Sequence, residues 1–196
     1  MIIGIDIDDT ITNSSDMFVK FAKFYNKKNK IKFKINNKVL DPNKAFGWNT
    51  KIQNDFLKKY LKTILLKAKV KKDVCKNIYK LQKLGHKIYF ITARSDLEIK
   101  NMYLFTKKWL TANRINFDKL FVNCLSKADA CIKNNVDIFI DDNFKNCKDV
   151  YEKLKIPVFL FDTRYNRNVY DLLMERVSNW NKIYNKIKKL NLGEKL

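Results

Sequence analysis

Near its start the chain reads Ile2-Ile3-Gly4-Ile5-Asp6-Ile7-Asp8-Asp9-Thr10. The apolar part of this stretch predicts a short buried β-strand over residues 2–7. Several acids follow at its end, which indicates that the carboxyl end of the strand has a function. Because acids interrupt the apolar run so early, the stretch is unlike a secretory signal peptide.

Strand and helix patterns alternate along most of the remaining chain. We predict further strands over residues 87–92, 120–123, 136–140 and 158–161, and helices over residues 15–27, 74–84, 96–113, 126–134, 143–154 and 170–190. This alternation predicts an α/β fold, a Rossmann-like three-layer sandwich with a mostly parallel sheet.

Residues 28–72 depart from this alternation. They are rich in Lys, with an aromatic cluster at residues 46–48 and an amphipathic run over residues 56–65, which predicts a mostly helical insertion. We therefore expect a core domain formed by residues 1–13 and 73–196, and a small helical cap formed by residues 14–72, inserted after the first motif.

The composition is typical of a cytoplasmic globular protein. The chain has 196 residues, 46% of them hydrophobic, and no apolar run approaches the roughly 18 residues that cross a bilayer, so we expect no membrane partner. Its four cysteines form no CxxC pair and His86 is the only histidine, which argues against a zinc site and against disulfides.

The formal net charge is +21. Such a charge is typical of a surface that binds polyanions, but Lys, Asn and Ile are abundant along the whole chain, so compositional bias is the preferred explanation. The basic residues are not gathered into one block. In either case a positive field should speed the encounter with anionic substrates.

Side chains suited to phosphate chemistry follow three of the predicted strands. In open parallel sheets, ligands bind beyond the carboxyl ends of the strands, so these side chains should meet at one edge. They are Asp6, Asp8, Asp9 and Thr10 after the first strand, Thr92 and Arg94 after the second, Asp141 and Asp142 after the fourth, and Lys127 at the start of the preceding helix.

So many carboxylates need a counter-charge if they share a small volume, because like charges raise one another's pKa. A hard divalent cation with oxygen ligands meets that need, and Mg²⁺ also bridges to substrate phosphate. Hydroxyl, ammonium and metal together indicate a phosphate site. A carboxylate left free to attack phosphorus indicates an aspartyl-phosphate route.

These residues resemble the four motifs of the haloacid dehalogenase superfamily, in order and on the expected elements. The motifs are Asp6-Ile7-Asp8-Asp9-Thr10, Thr92, Lys127 and Asp141-Asp142. The closer resemblance is to bacterial nucleotidases related to the 5'(3')-deoxyribonucleotidases. It rests on chain length, on the insertion after the first motif, and on the wording Ile91-Thr92-Ala93-Arg94 and Ile140-Asp141-Asp142.

The resemblance implies a role for each matching position. Asp6 would attack the phosphoryl group, Asp8 would protonate the leaving alcohol and then activate water, and Lys127 would neutralise Asp6 and the phosphate. Mg²⁺ would be held by the Asp6 and Asp141 carboxylates and the Asp8 backbone carbonyl. Thr92, with Ala93 and Arg94 beside it, would bind the phosphate. Asp142, with Thr10, would orient the water ligands of the metal or the Lys127 side chain.

Several positions allow a structural interpretation as well. Asp8 and Asp9 could cap the following helix, and Thr92 could be a turn residue at a strand end. Lys133 competes with Lys127, although Lys127 is preferred because it follows Ser126 at the helix start. Arg94 could pair with phosphate or with Asp96, and His86 is interpreted as structural.

Aromatic residues of the cap could stack on a nucleobase or could form the cap's own core. The candidates are Phe18, Phe46, Trp48 and Tyr60. We favour Phe46 and Trp48 for substrate binding, because Phe46-Gly47-Trp48 falls in a predicted loop.

Three functions follow from these observations. The leading hypothesis is a Mg²⁺-dependent phosphomonoesterase acting on nucleoside monophosphates, in particular deoxynucleotides. The second is the same chemistry on another small phosphomonoester, such as a sugar phosphate, or on a nucleic-acid 5'-phosphate end. The third is a nucleic-acid-binding protein with a vestigial core, against which the intact motif residues argue.

Overall fold

The structure is a computed structural model that describes residues 1–33, 35–36, 38–39, 42–170 and 174–191. Its centre is a six-stranded sheet in the order β3-β2-β1-β4-β5-β6, with every pair of neighbouring strands parallel. The strands are β1 (Ile2–Ile5), β2 (Lys87–Ile91), β3 (Lys119–Phe121), β4 (Ile138–Asp141), β5 (Val158–Phe161) and β6 (Glu175–Val177). The predicted α/β fold is confirmed.

Helices connect and flank the strands. They are α1 (Ser14–Lys28), α2 (Pro42–Phe46), α3 (Thr50–Lys67), α4 (Val74–Lys83), α5 (Met102–Ala112), α6 (Lys127–Lys133), α7 (Phe144–Leu154) and α8 (Trp180–Asn191). No helix in the described part of the chain contains a stretch long and apolar enough to cross a membrane.

The central position of β1 explains why its sequence is apolar. Ile5 lies opposite Phe90 of β2 and Ile140 of β4. These side chains are fully buried, and they belong to a hydrophobic core that also includes Trp180 of α8. A strand buried on both faces reads as a continuous apolar run, so its acids can occur only where the strand ends.

The cap segment, residues 14–72, has a hydrophobic cluster of its own. Trp48, Phe56 and Tyr25 pack there, with ring centroids 4.5 Å apart for Trp48 and Phe56. Thr12 and Val70 form an antiparallel bridge where the chain enters and leaves the segment. The division into core and cap domains stays a prediction.

Two predicted helices are wrong at their first residues. The helix predicted from residue 96 begins at Met102, because Asn101 adopts a left-handed conformation and its side chain accepts a hydrogen bond from the Leu104 amide. The helix predicted over 170–190 begins at Trp180, since Glu175–Val177 pair with β5 as a sixth strand. Residues 171–173 of that prediction lie outside the described residues.

Candidate active site

The carboxyl ends of β1, β2 and β4 bring the motif residues to one edge of the sheet. Asp6 follows β1 directly, and its amide donates to the Ile140 carbonyl at 2.9 Å. Asp141 is the last residue of β4, and Thr92 follows β2. Asp6, Thr92 and Asp141 are all buried. The strand order therefore places side chains from distant parts of the sequence side by side.

Lys127 is the counter-charge of Asp6. Its Nζ donates to Asp6 Oδ1 at 2.5 Å and also to the Ile91 carbonyl, and its side chain is only 2% exposed. Burial opposes the charge of this ammonium group, but Asp6 and Asp141 raise the pKa of Lys127 above its ordinary value. Lys133, the competing candidate, is exposed at the other end of α6.

Asp6, Asp141 and Asp142 form a cluster that could hold a metal ion. Each offers a carboxylate oxygen, and these atoms all lie within 4.8 Å of one another. Burial raises the pKa of Asp6 to about 7, with Asp141 and Asp8 adding to the effect and Lys127 opposing it. Burial also raises the pKa values of Asp141 and Asp142. One ammonium is too little charge for three buried carboxylates, so this all-oxygen donor set fits a hard divalent cation such as Mg²⁺.

The chain orients Asp142 tightly. Its Oδ1 accepts a hydrogen bond from the Thr10 hydroxyl at 2.9 Å, and its Oδ2 accepts one from Tyr165. Asn166 donates through Nδ2 to the Asp142 carbonyl at 2.7 Å. Thr10 was expected next to the metal ligands, and in the structure its side chain contacts Asp142.

Asp9 lies beside this network and at the start of α1. Its Oδ1 accepts from the Ser15 amide at 2.9 Å, and its Oδ2 accepts from the Tyr165 hydroxyl at 3.0 Å. Asp9 has a left-handed backbone with φ 58°. The contact with Ser15 agrees with the capping interpretation of Asp9.

Asp8 and Arg94 form a bidentate ion pair. Arg94 Nε and Nη2 donate to the two carboxylate oxygens of Asp8 at 2.8 and 2.9 Å. Burial opposes the charge of Asp8, but Arg94 lowers the pKa of Asp8 below its ordinary value. Arg94 therefore pairs with Asp8 and not with Asp96, which accepts hydrogen bonds from Met102 and Asn123. A contact of Arg94 with substrate phosphate stays a prediction.

Thr92 and Ala93 lie next to this ion pair. The Thr92 hydroxyl oxygen accepts from the Arg94 amide at 3.3 Å, and the residue is 1% exposed. Ala93 lines a cavity together with Asp8 and Arg94. Thr92 thus lies beside the ion pair of Asp8 and Arg94, and its binding of phosphate stays a prediction.

The cavity has a volume of about 330 Å³ and reaches from this edge of the sheet to the cap segment. Most of its apolar lining comes from the cap: Phe18, Val19, Val39, Phe46, Leu61 and Leu65. Its charged lining includes Arg94, Glu98 and Arg164 beside the acids. A mostly apolar pocket with a few convergent polar groups is typical of a small-molecule site.

The predicted aromatic residues divide between the cavity and the cap core. Phe18 and Phe46 line the cavity, whereas Trp48 and Tyr60 are not among its lining residues. Trp48 is 5% exposed and donates through Nε1 to Asn26 at 2.6 Å. The structure therefore places Phe46 where a substrate could touch it and Trp48 inside the cap.

The loop after β5 supplies functional candidates that the sequence interpretation missed. Arg164 lines the cavity and donates to Asp16 Oδ1 of α1 at 2.6 Å, and Tyr165 bridges Asp9 and Asp142. The sequence could have indicated these residues, because Phe161 ends a predicted parallel strand. Polar residues directly after such a strand lie at the same edge of the sheet as the other site residues.

Comparisons of sequence and of structure both find known proteins that are similar to this chain. A nucleotidase of Clostridium acetobutylicum is 31% identical over 138 residues, 70% of this chain and 69% of that protein. YqfW of Bacillus subtilis is 28% identical over 186 residues, 91% of this chain and 89% of that protein. The haloacid dehalogenase-like hydrolase SP0104 of Streptococcus pneumoniae shares the fold, with a TM-score of 0.70, 12% identity and coverage of 95% and 97% of the two chains. No protein-family model matches the chain.

The chain belongs to the family of the Clostridium nucleotidase and has the fold of the haloacid dehalogenase-like hydrolases. The resemblance that its four motifs indicated is confirmed.

Proposed function

We propose that the protein is a Mg²⁺-dependent phosphatase that forms an aspartyl-phosphate on Asp6 and acts on nucleoside monophosphates, in particular deoxynucleotides. One observation carries the proposal. A buried cluster of Asp6, Asp141 and Asp142 with Lys127 adjoins a cavity whose walls are mostly apolar. The name of the Clostridium relative, a nucleotidase, supports the choice of substrate class.

Asp6, Asp141 and Asp142 would hold the metal, with the Asp8 backbone carbonyl as a further oxygen ligand. When bound, Mg²⁺ would neutralise these carboxylates and the transferring phosphoryl group. Lys127 already offsets the charge of Asp6 through their 2.5 Å contact, so it would neutralise both the nucleophile and the phosphate oxygens. Thr92 would donate its hydroxyl to the phosphate.

The reaction would proceed in two displacements. A carboxylate oxygen of Asp6 attacks phosphorus, the bond from phosphorus to the ester oxygen breaks, and Asp8 gives that oxygen a proton. Asp8 then takes a proton from water, whose oxygen attacks phosphorus and releases phosphate from Asp6. The ion pair with Arg94 keeps Asp8 as a carboxylate, the form needed in the second displacement. In the first displacement Asp8 must carry a proton, so Arg94 would have to move away from Asp8 before that step.

The cavity supports a nucleoside as the leaving group. Its apolar side, with Phe18 and Phe46, offers the surface on which a base could pack, while Arg94 and Glu98 offer polar partners near the sugar. A sugar phosphate would leave the apolar side unused, and this favours the nucleotide. Cytoplasmic location is a prediction from the sequence.

The reaction is tested by phosphate release from nucleoside monophosphates and sugar phosphates with Mg²⁺. We expect higher kcat/KM on nucleotides, and Asp6→Asn should lower the rate on the order of 10³-fold or more, since it removes the nucleophile but keeps the side chain's shape. Failure of the wild type to release phosphate from any monoester with any divalent metal would refute the proposal.

Metal binding is tested separately by thermal unfolding. Mg²⁺ should raise the Tm of the wild type, because a ligand bound only by the folded state stabilises it. Asp141→Asn should lose most of that shift, whereas Asp149→Asn, an acid on α7 outside the cluster, should keep it. Equal shifts in both variants would rule out the proposed cluster as the metal site.

A further inference from the structure

The positive charge of the chain is concentrated in the cap segment. Residues 14–72 contain 17 lysines and only three acids, Asp16, Asp41 and Asp55, and so carry +14 of the net +21. The sequence interpretation assigned the charge to a bias of the whole chain. A uniform bias would not place most of the excess in the segment that adjoins the active-site cavity.

One face of α1 presents this charge to solvent. Lys20, Lys23, Phe24 and Lys27 follow helical spacing and are all exposed, with Lys28 beside them. We call these five residues the α1 basic face. Phe24 is 56% exposed, and its ring meets the Tyr60 ring edge-on, with centroids 6.2 Å apart. An exposed aromatic ring among cations is typical of surfaces that bind single-stranded nucleic acid.

Some lysines of the chain have acidic partners, but the lysines of this face have none in the described part of the chain. On α7, Lys148 pairs with Glu152 and Lys153 pairs with Asp149. None of the four lysines of the α1 basic face forms an ion pair within the described part of the chain. Their charge is therefore available to a polyanion.

The α1 basic face is connected to the cavity. Arg164 lines the cavity and pairs with Asp16, which lies one helical turn before Lys20 on the same side of α1. With a rise of about 1.5 Å per residue, Asp16 to Lys27 spans roughly 16 Å. A strand of a few nucleotides could thus run from the cavity along these cations.

We propose that the α1 basic face binds single-stranded nucleic acid, so that the enzyme removes the terminal phosphate of an oligonucleotide whose chain lies along α1. The substrate part of this proposal rests on the proposed function, whereas the binding part does not. Single strands are favoured over duplexes because Phe24 can stack only on a base that is not already stacked within a helix.

Binding is tested with a fluorescent single-stranded oligonucleotide that carries no terminal phosphate, so that no turnover occurs. The triple variant Lys20→Gln/Lys23→Gln/Lys27→Gln should lower the slope of log affinity against log salt by about 2, since each phosphate contact contributes about 0.7. Phe24→Ala should weaken binding about tenfold. The matched control is Lys182→Gln/Lys188→Gln/Lys189→Gln on exposed positions of α8, which makes the same change in net charge and should keep the wild-type slope.

Equal losses in the two triple variants would overturn the proposal, because the general field would then explain binding. It would also be overturned if Phe24→Ala had no effect and vesicles of anionic lipid bound the face as tightly as the oligonucleotide.

Turnover is tested on 5'- and 3'-phosphorylated oligonucleotides beside a mononucleotide. The triple α1 variant should raise KM for the phosphorylated strand. It should lower kcat/KM for the mononucleotide no more than the α8 control does, because both variants make the same change in net charge. Turnover of the mononucleotide alone would overturn the substrate part. If the wild type released phosphate from none of these substrates, the proposed function would be refuted instead. The binding experiment would still decide the role of the α1 basic face.

Discussion

The contact between Asp6 and Lys127 joins residues 121 positions apart in the sequence. Both partners are buried, and Asp141 and Asp142 lie in the same cluster. A buried charge is stabilised by its partner far more than an exposed one. The pair therefore matters for folding as well as for chemistry.

Replacing Lys127 by Met should destabilise the protein by about 3–5 kcal/mol, because it leaves buried carboxylates without their ammonium partner. Chemical denaturation measures this change. Lys133→Met is the matched control, since Lys133 is exposed on the same helix and its loss should stay within about 0.5 kcal/mol. Similar free energies of unfolding for the two variants would contradict the assignment of Lys127.

His86 provides a second prediction at the scale of the residue. It is 4% exposed, both ring nitrogens are buried without a hydrogen-bond partner in the described structure, and burial lowers the pKa of His86 below its ordinary value of 6.5. The folded state therefore keeps a neutral ring, while the unfolded chain takes up a proton as the pH falls below 6.5.

The stability that the neutral ring contributes is thus present above the unfolded pKa and is lost as the pH falls below it, by at most about 1.4 kcal/mol per pH unit. His86→Phe should remove this loss. Measured against the wild type, the variant should gain free energy of unfolding as the pH is lowered from neutral to weakly acid. A difference independent of pH would show that His86 titrates alike in both states.

At the scale of the element, the close packing of β1 explains its only glycine. A Cβ added at Gly4 would lie 3.0 Å from Val136 Cγ1, 3.2 Å from Ile91 Cδ1 and 3.2 Å from Phe139 Cδ2. All three neighbours are buried side chains. A methyl group at Gly4 would therefore crowd these side chains, which would have to shift by a few tenths of an ångström.

Gly4→Ala should destabilise the protein by about 1–3 kcal/mol, because the methyl group overpacks the core. Thermal or denaturant unfolding measures the cost. The double variant Gly4→Ala/Val136→Ala should cost less than the sum of the two single changes, since Val136 provides the nearest contact. Strict additivity would mean that crowding against Val136 is not the cause.

At the scale of the whole molecule, the excess of cations produces a field that attracts phosphate esters. The net charge is +21, and most of it lies in the segment that lines the cavity. Exposed charges act over a distance set by the Debye length, which shrinks from about 30 Å at 0.01 M to about 8 Å at 0.15 M ionic strength.

We therefore expect kcat/KM for a nucleotide to fall several-fold over that range of salt, with kcat almost unchanged, because the field affects encounter and not the bound complex. Steady-state kinetics in a neutral buffer measures both quantities. A fall in kcat with constant KM would point to an effect of salt on the chemistry instead.

Sequence patterns alone predicted the alternating α/β fold and the meeting of Asp6, Thr92, Lys127 and Asp141 at one edge of the sheet. Those inferences succeeded because they depend on local rules: apolar runs form buried strands, and parallel strands align their carboxyl ends. The sixth strand, Glu175–Val177, could not be found this way, since three residues show no periodicity and pair only because β5 offers an open edge.

The sequence by itself predicted the class of chemistry, because residue types suited to holding a metal and attacking phosphorus stand at the ends of recognisable strands. Only the tertiary structure decided how those residues are paired. Arg94 clamps Asp8, Tyr165 bridges Asp9 and Asp142, Trp48 packs inside the cap while Phe46 faces the cavity, and Arg164 reaches α1. Such pairings depend on distances between segments remote in sequence, and no local pattern encodes those distances.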